Sequence, residues 1–170
     1  MIHIRQERRT DHDTVYQVVK TAFATAEHSD GTEHDLVVRL RHSDSFIPEL
    51  SLVAEVSGDL VGHILFTRAQ VAGVAVLALA PLSVLPDYQR QGVGTALLRE
   101  GHRRARELGY GYCVVLGSEQ YYPRVGYVPA SRYGIRPPFQ VPDENFMALQ
   151  LREDAPDVSG ILQYAEEFGL

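Results

Sequence analysis

Apolar positions along the chain fall into two periods. Ile2 and Ile4 alternate with His3 and Arg5, the two-residue period of a short strand. From Thr10 the period lengthens, and Val15, Val18, Val19, Ala22 and Phe23 share one helical face behind a capping-box spacing of Thr10 and Asp13. A polar break at His28-Ser29-Asp30-Gly31 follows, and Leu36, Val37 and Leu40 mark a second helix. Leu52 to Val56 and Leu60 to Phe66 flank Ser57-Gly58-Asp59 and predict an antiparallel hairpin. Arg68 to Gly73 is expected to turn the chain into a nearly unbroken apolar strand from Val74 to Leu85. Beyond a polar connection, Val93, Ala96, Leu97, Ala105 and Leu108 return to helical spacing and stop at Gly109, a C′ glycine. Tyr112 to Leu116 reads as a buried strand, Arg136 to Pro142 as a proline-stiffened loop, and Asn145 to Leu151 as a final strand.

Composition narrows the class. The 170 residues suit one domain, residues 1–170, with a sizeable core, and 45% hydrophobic against 22% charged residues is globular. A net charge of −6 without a basic run argues against nucleic acid and suits a cationic substrate. The one cysteine, Cys113, lies in an apolar run and excludes an internal disulfide or a cysteine-rich metal site. No signal peptide or membrane-length apolar span is visible, so a cytoplasmic location is expected.

The stretch between the long apolar strand and the third helix carries the chemistry. A strand ends at Val84-Leu85, and Gly92-Val93-Gly94-Thr95 opens a helix whose first N–H groups have no intrahelical acceptor. Such a turn suits a phosphate: the glycines let a ligand approach the backbone, Arg90 adds charge and Thr95 a hydroxyl. It also suits a plain strand-to-helix connection that needs glycine. Two other phosphate motifs do not fit, since Leu97 stands where GxGxxG requires its third glycine, and GxxxxGK[ST] is absent.

Gln89-Arg90-Gln91-Gly92-Val93-Gly94, preceded by Leu82-Ser83-Val84-Leu85-Pro86, resembles the acetyl-CoA motif [QR]xxGx[GA] of the GNAT superfamily of N-acetyltransferases, which follows a strand ending in VxP. The resemblance runs from Leu52-Val53-Ala54-Glu55 through Gly58 to His63 and on to Tyr121-Tyr122-Pro123-Arg124-Val125-Gly126-Tyr127, which is similar to the family's YxxxG[FY] segment. The Leu-Ala-Pro-Leu-Ser-Val-Leu-Pro run, the paired tyrosines and Gly160 to Tyr164 resemble a bacterial subgroup of small acetyltransferases. The resemblance implies an α/β GNAT fold: a mixed, mostly antiparallel sheet flanked by helices, its two central strands splayed in a V that admits pantetheine.

It further implies acetyl-CoA as co-substrate, no metal, and direct attack by a small-molecule or peptide amine without an acyl-enzyme. On that reading Leu82, Ser83, Val84, Arg90, Gln91, Gly92, Val93, Gly94 and Thr95 bind the cofactor, and the Val84 amide faces the developing oxyanion. Tyr122 falls where the family keeps a tyrosine near the thioester sulfur, as acid or hydrogen-bond donor to the thiolate. Reference values of about 10 for tyrosine and about 8.5 for a thiol make full proton transfer uphill by roughly 2 kcal/mol, so hydrogen bonding is the larger part of that role. An amine of pKa about 10.4 is neutral about one part in 2,500 at pH 7, a cost near 4.6 kcal/mol that a base or water relay offsets. Many relatives place a glutamate on the central strand, yet Val74 to Leu85 holds no acid. Glu33, Glu55, His63 and Glu119 remain as candidates for the acceptor side, with His34 and Asp35 beside Glu33. Each also has a plain reading, a solvated first-turn acid or a packed strand histidine. Two alternatives stay open: a GNAT-fold module that binds acyl-CoA without turnover, and a protein for a different phosphorylated ligand. An exposed sheet edge and Tyr164 to Leu170 could support a homodimer.

Overall fold

The computed structural model describes residues 1–26 and 29–170, so His28 of the expected polar break lies outside the described residues. In chain order the elements are β1 (Ile2–Gln6), α1 (His12–Phe23), α2 (Glu33–Arg41), β2 (Phe46–Val56), β3 (Asp59–Val71), β4 (Val74–Val84), α3 (Val93–Glu107), β5 (Tyr112–Leu116), β6 (Val128–Pro129), β7 (Ile135–Arg136), β8 (Phe146–Gln150) and β9 (Gly160–Gln163). The sheet runs β1-β2-β3-β4-β5-β8-β6, and β9 joins β3 to β7. Along the main path only β4 and β5 are parallel, because α3 carries the chain across between them.

Four local readings are corrected by tertiary context. β3 continues to Val71 instead of ending at Phe66: Thr67, Ala69 and Val71 keep facing inward, while Arg68 and Gln70 pair with Leu77 and Ala75. The turn is then only Ala72-Gly73, with φ of 49° and 82°, matching Ser57-Gly58 at 52° and 85°. Both are two-residue hairpin turns whose positive φ at both centres follows strand twist. β2 begins at Phe46 rather than Leu52, with its pairing to β3 interrupted between Phe46 and Ser51. α1 begins at His12, and the reciprocal contact at its entry belongs to Asp11, which accepts the Arg8 amide at 2.7 Å and the Arg5 guanidinium. β8 is not the last strand, since β9 returns to pair with β3 at Gln70 and Val71.

The sheet is covered on both faces. α3 lies on one, where Val93, Leu97, Leu98 and Ala105 pack on Ile64, Phe66, Leu77 and Leu79. Gly101 allows that approach, because a Cβ there would stand 2.3 Å from the Phe66 ring. Helices α1 and α2 cover the other face through Val15, Val19, Val37 and Leu40 on Val53 and Leu65.

The central strands part company. β4 and β5 pair only at Leu77 with Cys113 and Ala78 with Val114. Beyond these, β5 stays with β8 as far as Leu116 opposite Phe146, and β4 stays with β3 as far as Val84 opposite Gly62. The register shift between Ile64 opposite Leu82 and Phe66 opposite Leu79 sets two residues, Ala80 and Pro81, against Leu65. That bulge bends β4 where it leaves β5, and Pro81 brings no N–H to a ladder at that point. The result is a V-shaped split at the carboxyl end of the central strands.

Candidate active site

A cleft of about 780 Å³ opens at this split, lined by the end of β4, the connection that follows, the first turn of α3 and the tyrosine segment. Its chemistry starts from the backbone. Leu85 N–H bonds Val61 O at 2.9 Å, so its neighbour Val84, opposite Gly62, is a non-bonded pair whose N–H points away from β3. The same parity turns Leu82, opposite Ile64, toward the split. Val84 and Leu82 therefore offer strand amides to the gap where β5 no longer pairs.

The connection is braced from within. Gln89 Nε2 donates to Val84 O at 3.0 Å, and Gln91 Nε2 to Asp87 O at 2.9 Å. Arg90 takes a left-handed φ of 63° and Gly92 one of 89°, reversing the chain so that α3 starts at Val93. A side chain at Arg90 held in this region is strained, a feature that recurs at ligand sites. No side chain caps α3 at Gly92 and no acid occupies its first turn. The amides of Val93, Gly94 and Thr95 are thus left at the positive end of the helix dipole. Arg90 and Arg124 both line the cleft, and among the described residues neither is in an ion pair. N–H groups at a helix start beside guanidinium charge are an arrangement that suits an anion.

Side chains of the motif divide by direction. Leu82, Val84, Arg90, Gly92, Gly94 and Thr95 line the cleft. Val93 is buried against Gly62, Gln91 serves the loop, and Ser83 is buried on the opposite face, its hydroxyl without a partner among the described residues. Tyr88, Gln89, Tyr121 and Arg124 also line the cleft. Sequence reasoning assigned no site role to Tyr121 or Arg124, although both stand in the tyrosine segment it singled out.

Three tyrosine rings run inward from the cleft. Tyr121 contacts Tyr122 at 5.1 Å between centroids, and Tyr122 contacts Tyr127 at 5.6 Å. Tyr121 Oη lies 3.2 Å from Thr95 Oγ1, and the buried Tyr127 Oη 2.8 Å from His102 Nε2. Tyr122 packs its ring edge on Gly117 at the end of β5, and among the described residues its hydroxyl has no hydrogen-bond partner. Burial, with Tyr121 and Cys113 nearby, raises its pKa above the ordinary tyrosine value, so it is a neutral proton donor at pH 7. Burial pushes the Cys113 thiol up to about 12, which removes it as a nucleophile.

The acidic candidates lie apart. Glu119 is exposed and accepts from Asn145 Nδ2 at 2.7 Å. Glu55 sits near the sheet edge, 3.0 Å from Arg5 Nε. Glu33 starts α2 with Ser29 Oγ 2.8 Å from both its oxygens, and Asp35 accepts from Tyr16 at 3.1 Å while standing 3.6 Å from His34 Nε2. His63 is fully buried on the α1–α2 face. Among the described residues no cluster of His, Cys, Asp or Glu could hold a metal ion, and no helix is long and apolar enough to cross a membrane.

Comparison with known proteins agrees with this geometry. A family model described as the acetyltransferase (GNAT) family matches residues 13–127. The Escherichia coli K12 protein named "uncharacterized N-acetyltransferase YjhQ" is 39% identical over 142 residues, 81% of this chain and 76% of its own. A GNAT family acetyltransferase from Brucella melitensis, solved in complex with acetyl-CoA, superposes with a TM-score of 0.81 at 33% identity, covering 99% of this chain and 98% of that one. The Escherichia coli YhbS structure, in complex with CoA, reaches 0.89 at 28% identity over 99% and 92% of the two chains.

Proposed function

The chain belongs to the acetyltransferase (GNAT) family, and from that premise we propose that it transfers an acetyl group from acetyl-CoA to the primary amine of a small molecule or peptide. The observation that carries this reading is the uncapped first turn of α3 facing the split between β4 and β5, with Arg90 and Arg124 beside it. The amides of Val93, Gly94 and Thr95 and the two guanidiniums suit a pyrophosphate, and the free strand edge at Leu82 and Val84 suits the pantetheine amides. Acetyl-CoA supplies the activated acyl group. The chain's own part is to hold it in line for the amine, to offer the Val84 N–H to the carbonyl oxygen, and to offer the Tyr122 hydroxyl to the departing sulfur.

The high pKa of Tyr122 makes hydrogen bonding, rather than full proton release, its main contribution. A cysteine relay is not part of this reading, because Cys113 is a buried thiol within β5. Isothermal titration with acetyl-CoA, with ATP and NADH as controls, tests the site, and thiol release over a panel of amines tests turnover. Micromolar binding of acetyl-CoA alone with amine-dependent thiol release is expected. Binding without release from any amine would favour a non-catalytic acyl-CoA module, and no binding would overturn the proposal.

A further inference from the structure

Tyr121 lines the cleft with a hydroxyl that the transfer step does not use. Its place is fixed from two sides. The Ser118 carbonyl accepts the amides of both Tyr121 and Tyr122 at 3.2 Å, and the Tyr121 carbonyl accepts the Arg124 amide at 3.1 Å, so one tight turn presents Tyr121 and Arg124 to the cleft together. The Tyr121 ring leans on Tyr122 at 5.1 Å between centroids and packs on the apolar cluster under α3. Its hydroxyl is thereby held against the first turn of that helix, 3.2 Å from Thr95 Oγ1 and 3.0 Å from the point where a Gly94 Cβ would stand.

A count of donors shows what this hydroxyl has left to give. The first intrahelical bond of α3 runs from the Ala96 N–H to Gly92 O at 3.0 Å, which leaves the amides of Val93, Gly94 and Thr95 uncommitted. Thr95 is the third residue of the helix, so its hydroxyl stands beside those amides. The Tyr121 and Thr95 hydroxyls share one hydrogen bond, and either can donate it. Two hydroxyls carry two protons, and that bond uses one. Among the described residues the second proton has no acceptor. No acid occupies the first turn to take it. The turn thus offers three N–H groups and one O–H to the same cleft, and the complement of such a set is a group that only accepts. An ionised phosphate oxygen is such a group, and an O–H bond to it is shorter and stronger than one to a neutral amide carbonyl.

We propose, resting on the acetyl-CoA reading above, that Tyr121 is a binding residue for the pyrophosphate of acetyl-CoA. Thr95 donates to Tyr121 Oη, and Tyr121 donates its own proton to a phosphate oxygen that the α3 amides also hold. Each bond in this short chain polarises the next. Arg124, carried by the same turn, adds its charge to the cleft. The paired tyrosines therefore divide the work: Tyr121 holds the anionic end of the cofactor, and Tyr122 serves the departing sulfur.

Tyr121→Phe tests this, since it keeps the ring packing and removes one hydroxyl. Titration calorimetry should give acetyl-CoA and CoA dissociation constants about tenfold or more above wild type, the loss of one hydrogen bond to a charged group. Phosphorus-31 NMR of saturating CoA on the whole protein reads the contact itself, and the bound pyrophosphate resonances should differ between wild type and Tyr121→Phe. A variant that merely loosened the tyrosine segment would lose affinity with those resonances unmoved, which overturns the proposal. So does an unaltered affinity. Either result leaves acetyl transfer standing, whereas absent acetyl-CoA binding in wild type defeats the function itself.

Discussion

A Cβ placed on Gly94 would stand 3.0 Å from the hydroxyl of Tyr121, so the first turn of α3 and the tyrosine segment meet with no room between them. Leu82 and Val84 lie 3.8 Å from the same point. Any side chain at Gly94 therefore has to push the Tyr121 hydroxyl back from the cleft. Gly94→Asp adds both bulk and a negative charge beside the free amides. Acetyl-CoA affinity is expected to fall by about 100-fold or more, the scale of a like-charge contact a few ångströms away in a partly screened site. Titration calorimetry checks it, and retained affinity would move the phosphate site elsewhere.

Among the described residues Tyr122 is the tyrosine of its segment whose hydroxyl has no hydrogen-bond partner, between Tyr121 bound to Thr95 and Tyr127 bound to His102. Tyr122→Phe keeps the ring packing on Gly117. Turnover should drop by roughly tenfold to a thousandfold with acetyl-CoA affinity little changed, the range of a lost proton donor. Steady-state kinetics beside calorimetry separates the two effects, and unaltered turnover would take Tyr122 out of the mechanism.

His102 gives the fold a pH dependence of its own. Burial, with Arg106 adding to it, lowers its pKa from 6.5 to about 4. The unfolded chain therefore binds this proton more tightly than the native one. Stability is full above pH 6.5 and declines as pH falls toward 4, by roughly 3 kcal/mol if no other group intervenes. Denaturant midpoints from pH 7.5 to 4 should show the decline, and His102→Gln should flatten it. A slope equal in both proteins would assign it elsewhere. Glu7 acts in a lower window: its pKa is depressed from 4.5 to about 2, so its contribution is present above 4.5 and lost as pH falls toward 2.

Gly101 sets how closely α3 lies on the sheet. With a Cβ only 2.3 Å from Phe66 Cε2, Gly101→Ala must displace a fully buried ring or lift the helix. A loss of about 1–3 kcal/mol is expected despite alanine's better helix propensity. Equilibrium unfolding measures it; a stabilised variant would mean that the Phe66 ring has room to rotate away.

Much of the site was legible along the chain because it is local. Gln89 to Thr95 is a continuous run, and its glycines and arginine act through backbone conformation and charge that neighbours in sequence decide. The amphipathic stripes of α1, α2 and α3 were equally plain. The far half of β3 was not, since Arg68 and Gln70 look like turn residues until Leu77 and Ala75 pair with them. The fate of each acid was also hidden. Glu55, Glu33 and Glu119 are held by Arg5, Ser29 and Asn145, and only the last two partners lie near in sequence or in the same loop cluster.

Local sequence sets the strand, turn and helix that make the candidate anion site, because hydrophobic period, glycine placement and helix-end amides are properties of a few consecutive residues. Only the tertiary structure decided where β4 leaves β5, which tyrosine hydroxyl stays free, and that Glu7, Arg41 and His63 meet in the interior. Those depend on ladder register and on contacts 25 to 56 residues apart, which no local pattern encodes.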